Sequence, residues 1–368
     1  MLIMEHTHKK RAYLIYGNHG QDPTALNDYF VLFLDIFKHS PYELKLETDC
    51  VPNEFNIYLE MFSTSNVRDI TSVKQRYPQT RLACLCTEFV NGNTFNFFGG
   101  DGSNPPFKYK VYSFLFRVIP KRIRRIIKGI CPQTYSDAKA SYQLDHMAAI
   151  FKERFDCFCQ LEPYFDYLWC VGEFQLEAYR ERFPNSTIRY FPIVTYNTEI
   201  GLEHHDQEKD IDILFSGSLT TERRLKLERL SRMGLKVVAG MWSDILRNEY
   251  IRRAKVCLHL KQNTQWKYPS VMRLHHLLIS GAVVLSEKCD VGCIQEQVVT
   301  QFAGDDLYDK ALALIEQGGF AEMAQNNFNK YVRLLESDRR AGLLNIERFL
   351  TAKHRFRDSG FTVDGKVS

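Results

Sequence analysis

Residues 211–287 alternate short apolar stretches with longer amphipathic ones, and this alternation constrains the fold more than any other feature of the chain. Four of the apolar stretches have the length of strands: 211–215, 236–240, 255–260 and 282–286. Strands that are apolar on both faces and separated by helices pair in parallel, because each crossover helix covers one face of the sheet. The sequence therefore predicts a doubly wound α/β domain, which binds ligands at the carboxyl ends of its strands.

The first of these strands leads into a turn of small residues and then into a helix with a basic start. Ser216, Gly217 and Ser218 form the turn, and Arg223 and Arg224 follow at the start of the helix. A glycine lets a ligand approach the backbone closely, and the amide groups at a helix start donate hydrogen bonds to phosphate. The pattern predicts a site for an anion. An arginine pair on a helix is also typical of a solvated face, which we expect for one of the two.

The first half of the chain repeats the alternation of strands and helices. Strands are predicted at 11–16, 56–62, 81–86, 167–172 and 187–192. A chain of 368 residues with 45% hydrophobic composition is long enough for two cores. We predict a first Rossmann-like domain at 1–194, an acidic linker at 195–210 and a second domain at 211–325. The ligand cleft is then expected between the two domains.

The positive charge of the chain is concentrated between residues 107 and 130. The formal net charge is +4, yet this segment holds eight Lys and Arg residues and no Asp or Glu. Six of them define a candidate membrane or acceptor surface: Arg117, Lys121, Arg122, Arg124, Arg125 and Lys128. Basic residues interleaved with large apolar ones are typical of a membrane interface, where each is worth about 1 kcal/mol. A solvated helix face is the alternative, and no nucleic-acid-binding motif surrounds the segment.

The ten cysteines favour reduced, buried thiols over metal ligands or disulfides. The polar N-terminus, 1–10, lacks the apolar core of a secretory signal, which favours a cytoplasmic location. Close cysteine pairs occur without the repeated CxxC spacing of structural zinc: Cys84 and Cys86, Cys157 and Cys159, and Cys289 and Cys293. No apolar run is long enough to span a bilayer. We therefore predict a cytoplasmic protein without a bound metal, with peripheral contact to the inner face of the membrane.

The order of motifs after residue 210 resembles the nucleotide-sugar-binding half of GT-B glycosyltransferases. The motifs are 212–217 with the following arginine pair, 254–260, Arg273 and 280–287. They look most like CgeB-type spore proteins and group 1 transferases, over roughly 210–331. The resemblance implies a GT-B fold, in which two Rossmann-like domains face a cleft and C-terminal helices, here 326–368, pack back on the first domain. Helical periodicity at 320–337 and 340–353 fits such closing helices.

The resemblance also implies an enzyme that moves a sugar from a nucleoside-diphosphate sugar to a hydroxyl acceptor. The leaving diphosphate is negatively charged, and a site without metal must neutralise it with helix N-termini and basic side chains. Candidate donor-binding residues are Gly217, Ser218, Arg223, Arg224, Lys261, Arg273, Ser286 and Glu287. On the helix that follows Pro269 we favour Arg273, which lies in the first turn, over His276 and Ser280. The donor is a substrate, and no other cofactor is expected.

Two residues at strand ends of the first domain are candidate bases for the acceptor hydroxyl. Glu88 follows the strand 81–86, and His19 lies in a glycine-flanked loop after the strand 11–16. That loop is not GxGxxG, so a dinucleotide site is not predicted. His19 titrates near neutral pH, whereas Glu88 needs burial to raise its pKa. Glu173 occupies a third strand end, and the sequence does not rank the three. A glutamate at such a place is also a common helix cap or salt-bridge partner.

Retaining group 1 transferases carry two glutamates around the helix that contains Arg273. This chain has Tyr268 and His276 near those places, which argues against a retaining mechanism of that type. Two alternatives stay open: a GT-B-like sugar-nucleotide epimerase, and a protein that binds a sugar nucleotide or lipid without turnover. For a transferase, the expected partners are the donor and a glycan or lipid-linked acceptor in polysaccharide biosynthesis. An anionic membrane surface is a further expected partner, and nucleic acid is not.

Overall fold

A computed structural model describes residues 10–19, 27–96, 114, 118–120, 122–125, 148–193, 208–240, 244–262 and 266–351. Within these ranges, the side chains of residues 19, 27, 244–245 and 337–351 are outside the description. Two parallel sheets organise the described residues, one in each half of the chain.

The first domain is built on a six-stranded sheet. Its strands are β1 (Lys10–Ile15), β2 (Tyr42–Glu47), β3 (Phe55–Leu59), β4 (Arg81–Cys86), β7 (Tyr167–Cys170) and β8 (Ile188–Tyr190). A small antiparallel hairpin, β5 (Val90–Asn91) and β6 (Thr94–Phe95), follows β4. The helices are α1 (Asn27–Lys38), α2 (Thr64–Arg76), α3 (148–161 as described) and α4 (Leu176–Arg182). The strand order is β2-β1-β3-β4-β7-β8, and every neighbouring pair is parallel.

The second domain is built on a five-stranded parallel sheet. Its strands are β9 (Ile211–Ser216), β10 (Val237–Gly240), β11 (Ala254–His259), β12 (Val284–Glu287) and β13 (Thr300–Phe302). Its helices are α5 (Thr221–Arg232), α6 (Asp244–Arg253), α7 (Val271–Ile279), α8 (Asp306–Gln317) and α9 (Phe320–Thr351). The strand order β10-β9-β11-β12-β13 reverses direction between β9 and β11, as the first sheet does between β1 and β3. Ligands bind beside such a reversal, outside the carboxyl ends of the strands.

The predicted architecture, two Rossmann-like doubly wound domains that face a cleft, is confirmed. Each strand predicted in the two halves forms, with ends displaced by three residues or fewer. The prediction of two C-terminal helices, 320–337 and 340–353, is wrong, because α9 is one continuous helix. Residues 337–340 contain neither glycine nor proline, so nothing in their backbone chemistry ends the helix there.

The core cluster around α1 continues from the first domain into the second. Phe33 is fully buried, with its ring centre 5.5 Å from that of Phe191 and 6.1 Å from that of Phe37. The same cluster includes Val271 at the start of α7 and Tyr331 on α9. The two domains therefore share an apolar contact beside the cleft, which fixes their strand ends relative to one another.

The described side chains of α9 pack on the second domain. Phe328, Tyr331 and Leu335 are buried, and the helix contacts α7. The predicted packing of 326–368 against the first domain depends largely on side chains outside the described part, so it stays a prediction.

Replacing Phe33 by alanine should destabilise the protein by about 3–5 kcal/mol, because it leaves a cavity in the core that both domains share. Val31 on the same helix is 57% exposed, and Val31→Ala should change the free energy of unfolding by less than about 0.5 kcal/mol. Urea denaturation followed by tryptophan fluorescence measures both. Equal midpoints for the two variants would contradict this description of the core.

Candidate functional site

The carboxyl ends of the two sheets line one cleft between the domains. The first domain contributes Thr87, Glu88 and Phe89 after β4, and the second contributes His259 and the start of α7. This part of the cleft has a cavity volume of about 180 Å³, and a neighbouring part of about 400 Å³ extends to the turn around Gly217. Arg273 lines both parts. The larger part is within the range of small-molecule sites.

Arg273, in the first turn of α7, is a partly buried cation on the wall of the cleft. Its Nη1 atom is buried and has no hydrogen-bond partner among the described residues. Its guanidinium carbon lies 5.6 Å from the centre of the Phe215 ring. Burial, together with the like charge of Arg247, lowers the pKa of Arg273 to about 10. A cation that has lost water without gaining an anion is costly, so this wall favours an anionic ligand.

Gly217 lies directly against Arg273. Its φ is +155°, and a Cβ atom at this position would lie 2.8 Å from Nη2 of Arg273 and 3.3 Å from the Phe215 ring. Its amide donates to the carbonyl of Gly240 at 2.8 Å, which ties the turn to the neighbouring strand β10. The turn of Ser216, Gly217 and Ser218 lines the same part of the cleft as Arg273. The predicted glycine turn and Arg273 are therefore brought together.

The arginine pair at the start of α5 is divided between the interior and the surface. Arg223 is 3% exposed and donates to three carbonyl oxygens: Nε to Lys261 at 2.9 Å, Nη1 to Ser218 at 2.9 Å and Nη2 to Leu260 at 2.7 Å. Burial and the neighbouring Arg273 lower its pKa to about 9. Arg223 thus joins the turn after β9 to the end of β11, while Arg224 is exposed on the helix.

Ser286 and Glu287, at the end of β12, are buried and engaged within the second domain. Glu287 accepts from Nζ of Lys226 at 2.6 Å and from the amide of Lys261 at 3.0 Å. Ser286 lies 3.0 Å from Nδ1 of His259. Both residues were predicted to bind the donor, but their side chains already have hydrogen-bond partners within the second domain. Lys261 lines the cleft, with its Nζ 4.0 Å from Asp290.

His259 connects the end of β11 to the start of α7. Its Nε2 accepts the amide of Ser270 at 3.0 Å, so in the neutral ring the proton lies on Nδ1 and is donated to Ser286. Burial and the charges of Arg273 and Arg223 hold the pKa of His259 well below its usual value. The ring is therefore neutral near pH 7 and fixes the turn that presents Arg273. His259 lies within the predicted strand 255–260, whose apolar pattern carries no signal of this connection.

Glu88 lies on the opposite wall of the cleft, in the first domain. Its carboxylate is 13% exposed and contacts both the guanidinium of Arg154 and the side-chain amide of Asn96. The structure thus places one predicted base in the cleft. His19 lies in a short 3-10 turn, Gly17–His19, directly after β1, and its side chain is outside the described part. Glu173 is exposed and lines a separate, smaller pocket.

Aromatic rings from both domains form one wall of the cleft. Tyr268 stacks on Phe89, with ring centres 4.6 Å apart and planes 9° apart, and on Phe174 at 5.3 Å and 17°. Trp266 meets Phe89 edge-on at 5.3 Å. Tyr268 therefore belongs to an aromatic contact between the domains.

An ion pair connects the domains at the other end of the cleft. The guanidinium of Arg247 on α6 holds both carboxylate oxygens of Asp28 on α1 at 3.0 and 2.5 Å. His276 lies beside them, with Nε2 2.9 Å from Oδ1 of Asn248 and Nδ1 4.0 Å from Asp28. Burial, with the charge of Arg247, lowers the pKa of His276 to about 4. His276 is therefore a neutral hydrogen-bonding residue near pH 7.

Half of the predicted basic surface falls outside the described residues, which omit Arg117, Lys121 and Lys128. Arg122 and Arg125 are exposed in a helical turn, and Arg124 donates to the carbonyl of Ile119 at 2.7 Å. In the part of the chain that the structure describes, no helix is long and apolar enough to cross a membrane.

The cysteines of the described ranges are free thiols. Within the same ranges, no three His, Cys, Asp or Glu side chains are grouped closely enough to hold a metal ion. The chemical groups that line the cleft include the guanidinium of Arg273, the ammonium of Lys261, the carboxylate of Glu88 and the aromatic faces.

No family model and no curated protein sequence matches this chain. Among solved structures, it is similar to sucrose-phosphate synthase from Thermosynechococcus elongatus, with 13% identity, a TM-score of 0.48, and 93% of this chain and 100% of that chain covered. It is similar to the β-glucosyltransferase of T4 phage, with 11% identity, a TM-score of 0.46, and 93% and 100% covered. It is also similar to a UDP-forming α,α-trehalose-phosphate synthase from Burkholderia xenovorans, with 10% identity, a TM-score of 0.45, and 89% and 77% covered.

Arg223→Lys should lower the free energy of unfolding by about 3 kcal/mol, because lysine cannot serve three carbonyl oxygens in the planar geometry of a guanidinium. Arg224→Lys keeps the charge on the exposed neighbour and should leave the urea midpoint unchanged within about 0.5 kcal/mol. An equal loss of unfolding free energy in both variants would show that the buried contacts of Arg223 do not stabilise the carboxyl edge of the five-stranded sheet.

Proposed function

We propose that the protein is a GT-B-type glycosyltransferase that moves a sugar from a nucleoside-diphosphate sugar to a hydroxyl acceptor. Arg273 carries this proposal, because its Nη1 atom is buried without a hydrogen-bond partner among the described residues. The same guanidinium lies with Nη2 against the Gly217 turn, in a cleft between two Rossmann-like domains. A diphosphate supplies the negative oxygens that this cation lacks. As the bond from the sugar to the diphosphate breaks, charge grows on the leaving oxygen, and a preorganised cation stabilises that charge.

The start of α7 adds a second favourable field for the same group. Helix N-termini carry partial positive charge and present amide donors, so anions are stabilised there. His259 holds Ser270, the residue before the helix, and thereby fixes the direction in which the helix start points. We infer that Arg273, Gly217 and this helix start bind the donor diphosphate without a metal.

We infer that Glu88 accepts the proton of the acceptor hydroxyl from the opposite wall. The acceptor oxygen attacks the anomeric carbon, the bond from that carbon to the diphosphate breaks, and the proton passes to Glu88. Arg154 and Asn96 orient the carboxylate and occupy two of its four lone-pair sites, which leaves sites for the hydroxyl. Attack from the face opposite the diphosphate inverts the anomeric carbon. His19 stays a second candidate for this role.

Thermal shift with UDP, GDP, dTDP and ADP sugars tests the donor site. One of these should raise the Tm of the wild type in buffer with EDTA, and Arg273→Ala should weaken binding of that donor by about 10- to 100-fold. Arg273→Met without ligand should be at least as stable as the wild type, because it removes an uncompensated charge. Arg232 on α5 has a 75% exposed side chain, and Arg232→Ala serves as the control.

An unchanged donor affinity in Arg273→Ala, or no shift with any donor, would remove the main support for the proposal. The same donor, incubated with the protein and candidate hydroxyl acceptors, separates the alternatives. Release of the nucleoside diphosphate with a new glycoside indicates a transferase. Conversion of the donor into a sugar epimer indicates an epimerase, and binding without either product indicates a non-catalytic protein.

We also propose that the transferase works at an anionic membrane surface, at its cytoplasmic face, on a surface-glycan precursor. The proposal is supported by exposed apolar residues beside exposed arginines: Phe114 is 62%, Val118 53% and Ile123 47% exposed, near Arg122 and Arg125. Apolar side chains next to basic ones suit the boundary between headgroups and acyl chains.

Vesicle flotation tests the membrane proposal. The protein should float with vesicles that contain phosphatidylglycerol and not with neutral phosphatidylcholine vesicles, because the attraction is largely electrostatic. The double variant Arg122→Glu and Arg125→Glu should weaken the association by about tenfold or more, at about 1 kcal/mol for each basic residue. Equal flotation of variant and wild type would contradict a role for this surface.

A further inference from the structure

A buried carboxyl group lies beneath the loop that carries Glu88. Glu60 directly follows β3, the strand beside β4 in the sheet, and is 1% exposed. It does not line the cleft between the domains, so it does not belong to the groups assigned above to the donor or the acceptor. Its contacts instead run to the main chain of Glu88.

Glu60 and its neighbours hold every polar group of Glu88. Oε2 of Glu60 accepts the amide of Glu88 at 2.9 Å. The carbonyl of Glu88 lies 3.0 Å from the hydroxyl of Tyr179 and accepts from Nε2 of Gln175 at 2.9 Å. Arg154 contacts the Glu88 carboxylate and donates to the main-chain carbonyl of Glu60 at 3.2 Å. The main-chain amide, the main-chain carbonyl and the side chain of Glu88 are therefore all held by polar contacts.

The hydrogens in this network decide the protonation state of Glu60. The hydroxyl of Tyr179 lies 2.7 Å from both oxygens of Glu60 and 3.0 Å from the Glu88 carbonyl, but it has only one proton. If Glu60 is protonated, it donates to Tyr179, Tyr179 donates to the Glu88 carbonyl, and the Glu88 amide donates back to Glu60. Each of these three links then has one hydrogen, whereas an ionised Glu60 takes the Tyr179 proton and leaves the contact between Tyr179 and the Glu88 carbonyl without one.

Burial acts in the same direction. It raises the pKa of Glu60 well above the usual value, although the hydroxyl of Tyr179, the charge of Arg154 and the main-chain amide of Thr87 lower it. The charged groups around Glu60 are Arg154 and the Glu88 carboxylate, and these two are paired with each other. Burial and the hydrogen positions therefore both favour the neutral carboxyl of Glu60.

We propose that Glu60 is a positioning residue, whose neutral carboxyl and its partner Tyr179 fix the main chain of Glu88 and so direct the Glu88 carboxylate into the cleft. The inference rests on the proposed function, in which Glu88 accepts the proton of the acceptor hydroxyl. A displacement of about 1 Å between reacting groups costs about 100-fold in rate. Arg273 and the Gly217 turn belong to the other domain, so donor binding does not depend on Glu60.

Two substitutions at Glu60 separate positioning from charge. In Glu60→Gln, the side-chain amide donates to Tyr179 and the side-chain oxygen accepts from the amide of Glu88, so the ring of hydrogen bonds is kept. The kcat and its pH profile should therefore stay close to those of the wild type. Glu60→Leu breaks the ring and should lower kcat by about 100-fold. The KM for the donor and the donor-induced rise in Tm should be unchanged. Tyr179→Phe removes one contact and should lower kcat by about tenfold.

Hydrogen exchange provides a readout that does not depend on activity. The amides of residues 86–90 should lose protection in Glu60→Leu and keep it in Glu60→Gln. If Glu60→Leu does not fold, Tyr179→Phe, compared with Glu60→Gln, gives the same contrast. Equal protection in all three variants would overturn the inference even for a protein without transferase activity.

Glu88→Gln separates failure of the inference from failure of the proposed function. If Glu88→Gln loses kcat but Glu60→Leu and Tyr179→Phe do not, positioning by Glu60 is overturned and Glu88 remains the base. Loss of kcat in Glu60→Gln as large as in Glu60→Leu would show that the charge of Glu60 matters, which also overturns the inference. Full kcat in Glu88→Gln overturns both the base assignment and the inference, while an unchanged effect of Arg273→Ala on donor binding preserves the donor site.

Discussion

Two arginines that contact the same phenylalanine control the electrostatics of the second domain. The guanidinium carbons of Arg223 and Arg273 lie 5.2 and 5.6 Å from the centre of the Phe215 ring, within the range of a cation–π contact. Carbonyl oxygens surround the first guanidinium, while the second has a buried nitrogen without a partner among the described residues. The guanidinium of Arg223 therefore stabilises the carboxyl edge of the sheet. The guanidinium of Arg273 is available to a ligand in the cleft.

In the first domain, two carboxyl groups differ from each other in the same way. Glu60 is buried and bound to the main chain, whereas Glu88 contacts Arg154 and lines the cleft. In both domains a buried ionisable residue supports the backbone, and a residue of the same type faces the ligand space. A fixed backbone beneath each functional group is what a preorganised site requires, because strand ends alone do not define side-chain directions.

Strand ends were the part of the site that the sequence predicted well. The glycine turn, Arg273 and Glu88 all lie in the cleft, because apolar strands in a parallel sheet place their carboxyl ends at one edge. Glu60 was missed because the predicted strand 56–62 runs past the true end of β3 at Leu59. An edge strand, β2, was missed because Glu and Lys side chains alternate along it. The pairing of Asp28 with Arg247, 219 positions apart, leaves no local signal in a single sequence.

Two contacts of different physical kinds, an ion pair and an aromatic stack, border the cleft. The pairing of Asp28 with Arg247 is partly exposed, with side chains 28% and 16% accessible, so added salt weakens it. Stacking of Tyr268 on Phe89 and Phe174 depends on apolar burial, which salt does not screen. The ion pair borders the side of the cleft with Gly217 and Arg273, and the rings border the side with Glu88. The two sides of the cleft are therefore bordered by contacts of different kinds.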